Sequence, residues 1–70
     1  MTEIVENFVL HLRNKSGVTQ EDFARAIGVT RQTVIAIEKG NYAPSILLAL
    51  KISKFFKKNV EDIFSIAYEK

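Results

Sequence analysis

Residues 19–40 read TQEDFARAIGVTRQTVIAIEKG, and this stretch decides the fold. Its apolar residues are spaced for two short amphipathic helices, and Gly28 between them supplies the left-handed backbone that a tight turn requires. The second helix opens at Thr30, and its first turn carries Arg31 and Gln32, whose side chains can each form paired hydrogen bonds. The stretch therefore predicts two helices joined by a tight turn, the second with a polar N-terminal turn.

This layout is typical of a helix-turn-helix, which we place at residues 19–39. In that motif the second helix lies in the major groove of DNA, and its N-terminal side chains contact the edges of the bases. The residue types fit such a role. Arg31 can donate two hydrogen bonds to guanine, Gln32 can pair with adenine, and the methyl group of Ala36 can contact that of thymine.

Length and composition argue against further domains, disulfides, thiolate metal sites and membrane spans. The chain has 70 residues and no Cys, so we expect one domain over residues 1–70, stabilised by packing rather than by disulfides or a thiolate metal site. The N-terminus has no basic segment, and no apolar run approaches the roughly 18 residues of a membrane span. We therefore expect a soluble, cytoplasmic protein with no membrane partner.

The charge is distributed unevenly along the chain. Residues 31–58 carry six cationic side chains against Glu38 alone, a net charge of +5, whereas residues 1–30 and 59–70 are each net negative. The positive charge thus lies in the half that holds the second helix of the motif, as expected for a DNA-binding surface. Charge alone leaves two interpretations open, because lysines at helical spacing commonly only solvate a helix face.

Polar residues before apolar runs, and glycines after them, mark the ends of the predicted helices. These helices run from residue 7 to 15, from 19 to the turn at Gly28, over 31–39 and from 45 to 56, with a last short turn after residue 59. The capping residues are Asn7, Thr19, Thr30, Ser45 and Asn59. The predicted core consists of Val9, Leu12, Phe23, Ala24, Ile27, Val34, Ile37, Ile46, Leu48, Ala49, Leu50, Ile52, Val60, Ile63 and Phe64.

The C-terminal residues show a different period. Phe64, Ile66 and Tyr68 alternate with smaller or more polar residues, and a period of two favours a short strand. The only evident mate in the sequence is the stretch 2–5 at the other end of the chain. The pattern thus leaves room for a two-stranded sheet formed by the two termini, although such a pair is weak unless it packs on the helices or on a partner.

Together these residues resemble a known family. The positions that carry the resemblance are Gln20, residues 28–33, residues 36–40, Pro44-Ser45 and residues 49–52. Over residues 7–64 the chain resembles the Cro and phage-repressor helix-turn-helix family of the xenobiotic-response-element type, especially its small single-domain prokaryotic regulators. The resemblance implies an all-α fold, a compact five-helix lambda-repressor-like domain that binds double-stranded operator DNA as a homodimer, with no cofactor.

The resemblance also implies roles for individual residues. The base-reading positions of the family correspond to Arg31, Gln32, Ala36 and Thr33. Contacts with the DNA backbone are expected from Gln20, Thr30, Lys39, Asn41 and Tyr42, although the Tyr42 ring could equally pack on the fourth helix. Arg13 and Glu38 match a buried ion pair that joins the first helix to the end of the third, which is a structural role.

A symmetric dimer sets further expectations. We expect Ile63, Ile66 and Tyr68 to form its interface, because a two-fold axis beside the last helix leaves both base-reading helices on one side. These helices should lie about 34 Å apart, so the operator should be a pseudo-palindrome with half-sites one turn apart. The chain departs from the family at Lys57 and Lys58, where relatives usually have Gly and an apolar residue, so Lys57 has to adopt a left-handed backbone.

Two other classes of function, a protein-interaction module and an enzyme, are alternatives to a dimeric repressor. The same scaffold can serve as a protein-interaction module, such as an antitoxin or antirepressor-type partner, and a regulatory protein partner is compatible with either role. An enzyme is not expected, because the sequence has no Cys, a single histidine at His11 and no phosphate-binding glycine-rich loop. We therefore expect no catalytic residues and no metal site.

Overall fold

The computed structural model describes residues 2–69. In chain order its elements are strand β1 (Thr2–Asn7), helices α1 (Val9–Ser16), α2 (Gln20–Ile27), α3 (Arg31–Glu38), α4 (Ile46–Phe56) and α5 (Val60–Ile63), and strand β2 (Phe64–Glu69). The strands pair antiparallel, with Val5 opposite Ile66. The all-α expectation is therefore incomplete, because the two termini do form a sheet. In the part of the chain described, no helix is long and apolar enough to cross a membrane.

Three helices begin at the hydroxyl caps that the sequence predicts. The side-chain oxygens of Thr19, Thr30 and Ser45 each accept a hydrogen bond from the backbone amide three residues on, at 3.0, 3.2 and 3.2 Å. Each cap satisfies one of the amides that a helix leaves without a partner in its first turn. The predicted turn is also confirmed, since Gly28 ends α2 in a left-handed backbone with φ 76°.

The predicted caps of the first and last helices need correction. Phe8, not Asn7, occupies the N-cap position of α1, because Asn7 is the last residue of β1. Asn7 still serves the helix, since its Oδ1 accepts a hydrogen bond from the Val9 amide at 3.0 Å. Asn59 does stand at the N-cap of α5, but its side chain makes no capping hydrogen bond.

Ten apolar side chains drawn from all five helices form the core. They are Val9, Leu12, Phe23, Ala24, Ile27, Val34, Ile37, Leu48, Ile52 and Ile63. The prediction was wrong for Ile46 and Leu50, which are 82 % and 51 % exposed. Residues four apart share a helix face, and the face of Ile46 and Leu50 is opposite the one that buries Leu48 and Ile52. The remaining predicted members, Ala49, Val60 and Phe64, are half-buried.

Aromatic packing holds α2 against α4. The ring centroid of Phe23 lies 5.0 Å from that of Phe55 and 5.2 Å from that of Phe56, and the last two rings meet edge to face at 5.1 Å. Aromatic pairs in such arrangements contribute about 0.5–1.5 kcal/mol each beyond the area they bury. The first helix of the motif is therefore fixed by its contact with a helix outside the motif.

The sheet continues directly from the last helix. Ile63, the final residue of α5, is fully buried, and its carbonyl accepts a hydrogen bond from the Phe8 amide at 2.9 Å. Ile63 therefore belongs to the core and offers no surface to a partner, which corrects its place in the expected dimer interface. Ile66 and Tyr68, also expected there, are 64 % and 59 % exposed.

The C-terminal end of α4 has an unfavourable backbone conformation. Lys57 caps this helix with φ 56° and ψ 44°, as the sequence predicts, and it is the one left-handed residue other than glycine among residues 2–69. In this conformation the Cβ of an L-residue approaches the following carbonyl oxygen, which costs roughly 1–2 kcal/mol. Glycine lacks the Cβ but loses more backbone entropy on folding, which offsets part of the difference.

Replacing Lys57 should stabilise the protein. We expect Lys57→Gly to raise the free energy of unfolding by about 0.5–1 kcal/mol in urea denaturation, because it removes the Cβ from a left-handed position. The matched control is Lys58→Gly, which removes the same charge from a residue without positive φ and should lower stability. A similar gain in both variants would attribute the effect to charge and contradict the backbone explanation.

Candidate nucleic-acid interface

Helix α3 buries one side and presents the other. Val34 and Ile37 are fully buried in the core. The residues predicted to read bases lie on the opposite side or at its border: Arg31 and Gln32 are exposed, and Thr33 and Ala36 are half-buried. Gln32 and Ala36 are four residues apart, so they share one face of the helix. The two longest polar side chains therefore stand on the first turn, and a methyl group follows one turn later.

A buried ion pair anchors the far end of α3. The Glu38 carboxylate accepts hydrogen bonds from Arg13 of α1, at 2.6 Å from Nε and 3.2 Å from Nη2. The side chains of Arg13 and Glu38 are only 11 % and 5 % exposed. Arg13 also donates from Nη1 to the Val18 carbonyl at 2.9 Å. Charge-assisted bonds of this geometry hold α1, the segment before α2 and the end of α3 in one arrangement.

Gln20 connects the two ends of α3. Its Nε2 donates to Oε1 of Glu38 at 2.9 Å, and its Oε1 accepts a hydrogen bond from Nε of Arg31 at 3.4 Å. The first contact is short and half-buried, whereas the second is long and exposed, so the Arg31 guanidinium is oriented without being tightly held. The first residue of α2 thus contacts side chains at both the C-terminal and the N-terminal end of α3.

A cleft beside the start of α2 has features of a phosphate site. Its lining residues are Arg13, Thr19, Gln20, Glu21 and Arg31. A helix N-terminus offers backbone amides and a positive potential to an anion, and Arg31 adds a full charge. Gln20 uses one amide N–H for Glu38, so its second N–H is available to a phosphate oxygen. Among residues 2–69, no three His, Cys, Asp or Glu side chains are grouped to hold a metal ion.

The hydroxyl groups at the start of α3 are paired with each other. Oγ1 of Thr30 lies 3.1 Å from Oγ1 of Thr33, and it also accepts the hydrogen bond from the Thr33 amide. Two hydroxyls that share one hydrogen bond keep one proton for another acceptor. Thr30 and Thr33 can therefore present one joint donor to a phosphate or a base.

The loop after α3 holds the other predicted backbone contacts. Lys39 and Asn41 are exposed, and the Asn41 amide donates to the Ala36 carbonyl at 3.0 Å, which ties the loop to the helix. Tyr42 is 44 % exposed and lines a groove together with Leu47 of α4. Tyr42 is therefore more than half covered, while enough of the residue remains exposed for a further contact.

One link to α3 was not predicted from the sequence. Nδ2 of Asn7 donates to the Ile37 carbonyl at 2.9 Å, while Oδ1 of the same side chain holds the Val9 amide. One amide at the end of β1 thus joins the sheet, α1 and the C-terminal end of α3. An asparagine in front of a helix indicates a cap, and no sequence signal points to a second partner 30 residues away.

Most of this chain matches a known protein family in sequence. The helix-turn-helix family profile matches residues 10–63, from the first turn of α1 to the end of α5. The chain belongs to the Cro/C1-type helix-turn-helix family. YgzD of Bacillus subtilis, an uncharacterized HTH-type transcriptional regulator, is 52 % identical over 65 residues, which are 93 % of this chain and 98 % of YgzD.

A more distant relative and a solved structure extend the comparison. RstR, the transcriptional repressor of the cryptic phage CTXphi in Vibrio cholerae, is 33 % identical over 54 residues, or 77 % of this chain and 49 % of RstR. The crystal structure of the transcriptional regulator VanUg superimposes with a TM-score of 0.77 over 99 % of this chain and 92 % of VanUg. At 20 % identity that likeness concerns the fold alone. The predicted family is confirmed, and its members are DNA-binding transcriptional regulators.

Breaking the buried pair should unfold much of the protein. We expect Glu38→Gln to lower the free energy of unfolding by about 3–5 kcal/mol, because it leaves Arg13 buried without a counter-charge while preserving side-chain size. Urea denaturation followed by circular dichroism measures the loss. Asp22→Asn is the control, because the Asp22 and Arg25 side chains of that pair are 62 % and 72 % exposed, and it should change stability by less than about 0.5 kcal/mol.

A double variant tests whether the lost stability comes from the unpaired buried charge of Arg13. Arg13→Leu combined with Glu38→Leu removes both buried charges, so it should recover a large part of the stability that Glu38→Gln loses. If Glu38→Gln were no more destabilising than Asp22→Asn, the Arg13 pair would not be buried in solution.

Proposed function

We propose that this protein is a dimeric repressor that reads a pseudo-palindromic operator with α3. The observation that best supports this proposal is the placement of Arg31 and Gln32, both exposed on the first turn of a helix that Gln20 contacts at both ends. Recognition requires side chains on a rigid element, because loosely placed donors lose their hydrogen-bond geometry. The proposed role is regulatory rather than catalytic.

The proposed base contacts follow from hydrogen-bonding chemistry. Arg31 donates two hydrogen bonds to O6 and N7 of a guanine, and Gln32 pairs with N6 and N7 of an adenine. Ala36 contacts a thymine methyl group, and Thr33 reaches a base or the adjacent phosphate. Each good bidentate pair supplies roughly 1–3 kcal/mol of discrimination against the wrong base.

The proposed backbone contacts surround the recognition helix. They are made by Gln20, Thr30, Lys39, Asn41 and Tyr42, which lie at the start of α2, at the start of α3 and in the loop after it. Such contacts fix the register of the protein on the duplex and carry no sequence information. Lys39 also releases a counterion when it meets a phosphate, so its contribution falls with salt.

Repression is the form of regulation that we favour. A bound dimer covers about one turn of DNA between its half-sites, and this occupancy at a promoter blocks access for the transcription machinery. One relative, RstR, is named a transcriptional repressor. A regulator of this kind would act in the cytoplasm, on the DNA of a prokaryotic cell.

Selection from random DNA is the first test of this proposal. Duplexes that bind the protein at near-physiological salt should share a two-fold motif with half-sites about 10 base pairs apart, centre to centre. Sequencing of the retained pool measures this directly. Binding that disappears as salt rises, without enrichment of any motif, would reduce the interaction to non-specific electrostatics and contradict the proposal.

Arg31→Ala should then remove the selectivity at one position of each half-site. We expect its affinity to fall about 5- to 150-fold for each half-site, the equivalent of one bidentate base contact, with the preference lost at one base pair of each half-site. Arg25→Ala is the matched control, because it removes the same charge from an exposed arginine of α2 that pairs with Asp22. Its affinity should change about twofold at most, and equal losses in the two variants would reject Arg31 as a base reader.

The alternative role as a protein-interaction module has one observation in its favour. Ile46, Leu47 and Leu50 form an apolar patch on the outer face of α4, with exposed fractions of 82 %, 64 % and 51 %. Contiguous exposed apolar groups mark interaction sites. A chain that enriches no DNA motif but forms a tight 1:1 complex with the product of a neighbouring gene would support this alternative.

A further inference from the structure

The terminal sheet packs on the hydrophobic core only at its Phe64 end. None of the residues of β1 and β2 is buried, and only Asn7, Phe64 and Ala67 are half-buried. An isolated pair of strands is marginally stable in water and normally needs more strands or a packing partner. This pair nevertheless extends over six residues in each strand, from Thr2 opposite Glu69 to Asn7 opposite Phe64. The sheet therefore has the properties of a surface that pairs with a partner.

The two edges of the sheet differ in charge. β1 carries Glu3 and Glu6, and charged side chains discourage a further strand from pairing. β2 is uncharged from Phe64 to Tyr68 and contains Ile66 between two aromatic positions, a composition that favours strand pairing. Within residues 2–69 no other strand pairs with the outer edge of β2. That edge is therefore the one open to a further strand.

Apolar side chains on one face of the sheet extend to this edge. Residues directly opposite each other share a face, so Val5 lies beside Ile66, and the next pair on the same face is Glu3 with Tyr68. Val5, Ile66 and Tyr68 are 40 %, 64 % and 59 % exposed. A strand added next to β2 would cover Ile66 and Tyr68 from the side.

We propose that β2 pairs antiparallel with β2 of a second copy of this chain, which gives one four-stranded sheet in the order β1, β2, β2, β1. The two-fold axis is perpendicular to the sheet. Facing residues are therefore both even-numbered or both odd-numbered, and one residue faces its own copy. With the axis at Ile66, this residue meets its equivalent and Phe64 meets Tyr68 of the second copy. All of these side chains lie on the face that also carries Val5.

The positions of the charged residues favour the edge of β2 over that of β1 for pairing with a second copy of this chain. In the proposed sheet, Glu3 and Glu6 of the two copies lie on the outer strands, three strand spacings or about 14 Å apart. That distance exceeds the Debye length of about 8 Å at physiological salt, so the repulsion is largely screened. Pairing through β1 would instead place four glutamates on adjacent strands. A second copy joined through β2 brings only uncharged residues together at the centre.

The sheet is directly connected to the recognition helix. β2 follows the fully buried Ile63 without a loop, and Asn7 at the end of β1 donates to the Ile37 carbonyl near the end of α3. The position of the second copy is therefore transmitted to the recognition helix through buried or hydrogen-bonded groups. This inference rests on the proposed dimeric function and names the surface that would set the spacing of the two α3 helices.

Single cysteines test the arrangement, because the natural sequence has none. Ile66→Cys should form an intermolecular disulfide readily under mild oxidation, since facing residues of antiparallel strands have Cα atoms about 4.5–5.5 Å apart. Val5→Cys is the matched control, on the same face and directly opposite Ile66, but about 14 Å from its copy in the proposed dimer. It should stay reduced. Equal cross-linking of both variants would overturn the proposal in favour of sheets packed face to face.

A charge substitution tests the same surface without oxidation. Ile66→Lys places two like charges next to the axis and should raise the dissociation constant of the dimer at least about tenfold in sedimentation equilibrium. Ile46→Lys makes the same change at an exposed site on α4 and should leave dimerisation unchanged. A monomeric wild-type protein at about 100 μM, or equal weakening in both variants, would reject the β2 interface.

DNA binding distinguishes failure of this interface from failure of the proposed function. A monomeric Ile66→Lys variant should keep its Arg31-dependent affinity for a single half-site and lose at least about tenfold for the full operator. Loss of half-site binding in the wild type as well, with the dimer intact, would contradict the DNA-reading function and leave the β2 interface standing.

Discussion

The position of α3, the proposed recognition helix, depends on one buried ion pair, between Arg13 and Glu38. Apolar packing is non-directional, so a core of ten side chains brings the helices together without fixing how each is rotated. Hydrogen bonds at 2.6 and 3.2 Å between a guanidinium and a carboxylate are directional, and neither charge can be left buried alone. Gln20 extends this constraint to α2 through the second carboxylate oxygen. The orientation of α3 thus follows from polar contacts at its far end.

The short helices explain why such constraints matter. Helices α1, α2 and α3 have eight residues each, well below the roughly 12 residues at which an isolated helix becomes marginally stable. Their stability must come from caps, from the turn at Gly28 and from packing in the core that all five helices share. The phenylalanine contacts between α2 and α4 therefore contribute indirectly to the position of α3, because they hold the helix whose first residue contacts both ends of α3.

The features that the sequence predicts best are local ones. The hydroxyl caps at Thr19, Thr30 and Ser45, the left-handed Gly28 and the left-handed Lys57 each depend on a few neighbouring residues, so residue type and spacing suffice. Errors arose where tertiary placement decides: Ile46 and Leu50 carry apolar side chains on the outer face of α4, and Ile63 faces the core rather than a partner. The bond from Asn7 to the Ile37 carbonyl joins residues 30 apart in sequence, and spacing alone does not reveal it.

Closure of the two termini into one sheet gives the proposed dimer a discrete geometry. In a two-fold antiparallel pair the axis can move only by whole residues, and moving it from Ile66 to Ala67 slides the two copies by two residues. At about 3.4 Å per residue that slide is about 6.8 Å, comparable to two base pairs of DNA. Because Ile63 and Asn7 connect the strands to the core and to α3, such a slide moves the recognition helices as well. The register of β2 against its copy would therefore select among operator spacings in steps, without any contact to DNA.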